Sequence, residues 1–229
     1  MKSSKSPRGV RFGSTPRLLT ALILACVAWA AAAAQAQPDP RRQQLLNGLR
    51  ILLWNRPADQ NVLIKLRVHS GAAFDLAGKE GLTAALADLM FDQQTRDYVT
   101  EELGGRLEVL VGYDAVDITL AGKSTDFERL LELARNAVTN TQLTPEAVER
   151  VRAARLKALR EAAPDAAEAA DRAAAARLFG SYPYGRTRRG TPESVARIER
   201  ADLVSMRERF LTPDNSTLVI IGGFEPKTV

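Results

Sequence analysis

Apolar residues recur at two spacings along this chain, and the change from one spacing to the other lays out its elements. Over residues 62–70 they alternate, with Ile64, Leu66 and Val68 on one side and Lys65, Arg67 and His69 on the other, the period-two pattern of a half-buried strand. Residues 48–55 predict an earlier strand, ended by Arg56 and Pro57. Residues 106–111 and 115–121 flank Gly112-Tyr-Asp114 and predict a hairpin. Over residues 81–91 the spacing becomes helical. Leu82, Leu86, Leu89 and Met90 form a core stripe, while Ala84, Ala87 and Asp88 lie on the opposite stripe, positions 84 and 88 stacked one turn apart.

Further helices are predicted at residues 125–139, 145–162, 165–178 and 200–210. Thr144 and Pro145 supply an N-cap with proline at the first helical position. Residues 216–222 are almost wholly apolar and predict a strand buried on both faces. Gly104 and Gly105 stand between a helix and a strand, so they end the helix rather than cradle a phosphate. Paired strands, a helical middle and a final strand predict an α+β fold, an antiparallel sheet with helices packed on one face.

The first 36 residues are a different substance. Lys2, Lys5, Arg8, Arg11 and Arg17 precede an apolar run over residues 18–34, followed by the small-residue site Ala34-Gln-Ala36. A basic stretch, an apolar stretch and an A-x-A site describe a secretory signal peptide cleaved after Ala36, which implies a periplasmic protein with no membrane span after cleavage. The run is short and alanine-rich for a membrane anchor. Cys26 lies inside a loose lipoprotein-like box, but the apolar run continues well past it where a lipidated cysteine needs a polar tether. Residues 37–45 read as a polar lead-in and residues 46–229 as a single domain.

Cleavage changes what chemistry is open to the chain. The only cysteine leaves with the leader, which excludes disulfides, thiolate metal sites and cysteine nucleophiles. The leader also carries five of the 32 basic residues and no acidic one, leaving 27 against 27 acidic residues. The high pI, 9.6, therefore belongs to the leader, and a nucleic-acid surface loses its support. The only histidine, His69, falls on the polar face of a predicted strand, as an exposed residue rather than a ligand.

Six blocks in order give the chain, from about residue 46 to 224, a resemblance to the insulinase/pitrilysin family of zinc peptidases, which includes the mitochondrial processing peptidase. They are Asn47-Gly-Leu-Arg-Ile-Leu-Leu53, Val68-His-Ser-Gly-Ala-Ala-Phe-Asp75, the helix at 81–91, Leu103-Gly-Gly105, Phe179-Gly-Ser-Tyr-Pro-Tyr-Gly185 with Gly190-Thr-Pro-Glu-Ser194, and Phe210-Leu-Thr-Pro-Asp-Asn215. The resemblance places the two zinc histidines of an H-x-x-E-H motif at positions 84 and 88, the general base at 87 and the third ligand near 158. This chain has Ala84, Ala87, Asp88 and Ala158 there. Such a set lacks the three good protein ligands of a catalytic zinc, and Asp88 with Glu161 suffices at most for a weak hard cation through water.

What the resemblance implies is a catalytically inactive member without zinc, paired as a heterodimer with a catalytic H-x-x-E-H-bearing homologue, and possessing a second similar domain beyond this stretch. It also implies that peptide substrates add as a strand to a sheet edge, here Glu108, Val109, Leu110 and Val111. Tyr182, Tyr184, Arg186, Arg188 and Arg189 read either as a peptide clamp or as an ordered turn with a solvated basic edge. Two alternatives remain open at this stage: an active zinc peptidase with a relocated site, and a periplasmic peptide-binding or scaffold domain.

Overall fold

The computed structural model describes residues 40–163 and 165–227. The leader, its expected cleavage site and Cys26 lie outside the described residues.

Six strands form one sheet in the order β1-β2-β6-β3-β5-β4. They are β1 (Arg41–Gln44), β2 (Arg50–Asn55), β3 (Asn61–Val68), β4 (Arg106–Val111), β5 (Val116–Lys123) and β6 (Ser216–Gly222). Every pairing is antiparallel except β2 with β6. The expected α+β fold with a mainly antiparallel sheet is present, and the one parallel pair arises because the last strand enters between β2 and β3 instead of turning back on a neighbour.

Local expectations do change. The polar lead-in is a strand in part, since Arg41–Gln44 pairs with β2 although all four side chains are exposed. A strand with no buried face leaves no apolar signature. Gly48, read as the start of β2, lies in the intervening turn with φ of 90° and donates to the Leu45 carbonyl. The final strand is buried on one face only. Ser216, Leu218, Ile220 and Gly222 are buried, while Thr217, Val219 and Ile221 on the other face are half-buried.

The core lies between the sheet and its helices. Ile64 stands opposite both Leu120 and Ile220, and all three are fully buried. The helices are α1 (Leu82–Met90), α2 (Gln93–Asp97), α3 (Phe127–Thr139), α4 (Pro145–Glu161), α5 (Ala166–Phe179), α6 (Pro192–Ala196) and α7 (Arg200–Phe210). Helix α3 crosses β3 and β5 with Leu130 at its buried centre, and α4 and α7 flank α1. Helix α4 begins where the sequence predicts, Thr144 accepting from the Ala147 N–H ahead of Pro145. Helix α5 buries no residue at all. Its alanines and the Asp165 cap, which accepts from the N–H groups of Ala167 and Glu168, account for its helicity.

Candidate functional site

The start of α1 is fixed by one buried carboxylate. Asp75 accepts from the N–H of Gly81 and the N–H of Thr83, both at 2.8 Å, and from the Thr83 hydroxyl at 2.6 Å. Burial holds its carboxyl above the usual aspartate range, and the hydrogen bonds, which pull the other way, do not cancel that. Gly81 has φ of 93°, and a Cβ there would come within 2.8 Å of the Arg189 carbonyl. The turn over residues 186–190 is thus pressed backbone to backbone against the head of the helix.

The opposite stripe of α1 is covered as well. Ala84 and Ala87 are buried under α4 and only Asp88 is exposed, so the helix is buried nearly all round. Two alanines let α4 approach closely, and the side chain that enters is one the sequence pattern does not single out. Arg155 of α4 donates to the Ala84 carbonyl at 3.2 Å, to the Asp88 carboxylate at 2.5 Å and to the Arg189 carbonyl at 3.3 Å. Its side chain is 15 % exposed, against 46 % for Asp88. Asp88, Arg155, Ala158 and Arg189 all line one cavity of about 300 Å³. Glu161 is not among the residues lining it.

Positions 84, 88 and 158 therefore do converge, around a guanidinium. The residues do not fit a zinc ion: two of the three positions carry no donor atom, and the only carboxylate is already paired with a fixed positive charge. A dication beside Arg155 would meet repulsion and not ligation. Among the described residues no group of three or more His, Cys, Asp or Glu side chains converges anywhere. His69 is exposed, with Nε2 2.8 Å from the Thr217 hydroxyl. A signal for Arg155 was present in the spacing, since it lies one turn before Ala158 on the same face of α4, but an arginine amid a charged helix gives no reason to expect burial.

A larger groove, about 1180 Å³, runs from this point to the sheet edge, lined by Ala84, Asp88, Arg155 and the edge residues Val109 and Val111, with Arg150 above. Strand β4 is the outermost strand and pairs only with β5. Gly112 donates to the Ala115 carbonyl at the hairpin end. By antiparallel alternation the N–H and C=O groups of Val111, Val109 and Leu107 then point away from β5, while those of Leu110 and Glu108 are used in the ladder. The four edge residues are together, but only alternate ones present backbone groups to an added strand.

The aromatic and basic turn is ordered. Tyr113 lies 5.2 Å from Tyr184, and Tyr184 lies 5.7 Å from Phe179 and 5.9 Å from Tyr182. Arg186 donates to the carbonyls of Ser181 and Asp75, and Arg189 pairs with Glu168.

Residues 50–191 match Insulinase (Peptidase family M16), and the chain belongs to that family. An uncharacterized zinc protease of Mycobacterium leprae is 26 % identical over 190 residues, covering 80 % of this chain and 43 % of that protein. This chain thus spans less than half the length of that relative. The periplasmic protease PqqL of Escherichia coli superposes with a TM-score of 0.72 at 19 % identity, covering 85 % of this chain and 23 % of PqqL. A peptidase M16 inactive domain from Pseudomonas fluorescens does so with a TM-score of 0.73 at 16 % identity, covering 83 % of this chain and 48 % of that one.

Proposed function

We propose that this chain is a catalytically inactive insulinase-family component of the periplasm, one that binds extended peptides along β4 and partners a catalytic H-x-x-E-H-bearing homologue. The observation that carries the reading is Arg155, whose side chain occupies the convergence of positions 84, 88 and 158. With alanine at 87 as well, no carboxylate stands where water would be activated.

Binding is supported by the edge. The outward N–H and C=O groups of Leu107, Val109 and Val111 offer an incoming strand main-chain hydrogen bonds, and the groove beside them gives its side chains room. A periplasmic location rests on the leader-like first 36 residues. No described helix is long and apolar enough to cross a membrane.

The test is reconstitution. The purified chain alone should leave a fluorogenic peptide intact, and should form a complex with an H-x-x-E-H-bearing homologue and raise its peptidase rate. Absence of both a complex and any stimulation would remove the partner role.

A further inference from the structure

We propose that the groove selects acidic peptides and that Arg188 is the residue that recognises their charge. The proposal rests on the reading that the free edge of β4 takes a peptide strand, and adds to it a substrate class.

Arg188 sits at the end of that edge. Its Nη1 donates at 3.4 Å to the carbonyl of Val111, one of the groups an added strand would engage. Strand addition therefore runs up to the guanidinium, and the peptide residue that arrives there places its side chain, or its terminal carboxylate, beside it. The position of the guanidinium is built. It lies 5.3 Å over the Tyr113 ring, and Tyr113 is held by donating to the Arg186 carbonyl at 2.8 Å and by packing on Tyr184.

Other basic groups of this turn have partners, Arg186 on backbone carbonyls and Arg189 on Glu168. Arg188 is exposed and, among the described residues, has no carboxylate within ion-pair distance. One long bond to a carbonyl leaves most of its five N–H donors free for a carboxylate, which a guanidinium meets with two parallel bonds.

The groove beyond carries the same sign. Arg96, Arg150 and Arg155 line it against two carboxylates, Asp88 paired with Arg155 and Asp92 capping α2, which leaves one positive charge in excess. Arg150 lies close enough to act on the Asp92 charge, and Arg96 makes no ion pair among the described residues. A cleft of net positive charge concentrates anionic ligands, and a lysine arriving at Arg188 meets a like charge.

The experiment uses the purified chain and a set of short, labelled, unstructured peptides identical except that the same positions hold Glu, Gln or Lys, with binding read by fluorescence anisotropy. The Glu peptide is expected to bind about fivefold more tightly than the Gln peptide at low salt, as an exposed ion pair gives, and the Lys peptide more weakly than either. The preference should shrink as salt is added. Arg188→Gln should abolish most of it without changing the Gln peptide's affinity, while Arg42→Gln, on β1 at the opposite edge of the sheet, should leave it intact. Equal binding of Glu and Gln peptides, or an acidic preference that survives Arg188→Gln, overturns the proposal and leaves peptide binding standing. No binding by any of the three peptides overturns both.

Discussion

Arg155 and Asp75 carry the two strongest statements that single side chains make in this structure. Arg155→Met keeps the bulk of the side chain but removes its bonds to Ala84, Asp88 and Arg189. Because Asp88 is half in water and can rehydrate, the loss should be modest, about 1–2 kcal/mol in urea unfolding. The same residue governs any attempt to restore the metal. Ala84→His, Ala87→Glu, Asp88→His and Ala158→Glu together should bind zinc poorly while Arg155 remains, and adding Arg155→Ala should raise affinity by about tenfold or more, read by competition with a chelating dye. Equal affinity with and without Arg155 would show that the guanidinium does not guard the position.

Asp75 gives a pH dependence. Its folded pKa lies above the ordinary value of 3.8, chiefly because burial disfavours its charge. The native state thus holds this proton more tightly than the unfolded chain. Its stabilisation is complete below pH 3.8 and is lost as the pH rises through the folded pKa. The amide introduced by Asp75→Asn cannot titrate, so the stability of the wild type relative to that variant should fall from acid toward neutral pH. A difference that rises over the same range would contradict the direction of the shift.

At the scale of the element, β4 separates two kinds of backbone position that sequence alone does not distinguish. The N–H of Val109 points to the free edge and that of Glu108 into the ladder with Thr119. Val109→Pro should therefore fold, since an edge strand tolerates proline on its outer side, yet bind peptides about tenfold more weakly for want of a main-chain donor. Glu108→Pro removes a ladder bond and leaves its partner carbonyl unpaired, which should cost about 1–3 kcal/mol in urea unfolding. Peptide binding unchanged by Val109→Pro would exclude strand addition here.

The elements themselves were legible where a face is buried. Alternation in β3 and the large apolar residues at helical spacing in α1 gave their positions closely, because those side chains face the core. Where no face is buried the signal vanished, as in β1, or the element stood on propensity alone, as in α5. Strand β6 misled in the other direction. Its continuous apolar run suggested two covered faces, but Val219 and Ile221 lie half-buried on the open side of the sheet. At the candidate site, the choice of positions 84, 87, 88 and 158 came from the family resemblance alone, and their residues read directly off the chain. The guanidinium beside them was not legible, since burial of Arg155 is a property of the packing between α1 and α4 and not of either helix's own pattern.

At the scale of the whole molecule, one family fold holds three features in a line: the emptied convergence under α4, the groove, and the free edge of β4 with Arg188 at its end. Helices on one face of the sheet position all three, and Ala84 and Ala87 let α4 close over α1. Arg155 fills the space between positions 84, 88 and 158, and the zinc content of the purified protein, with its cleavage of a fluorogenic peptide with and without chelator, tests whether a metal displaces it. No stoichiometric zinc and no chelator-sensitive cleavage are expected. Zinc bound one to one, with hydrolysis that the chelator abolishes, would contradict that expectation.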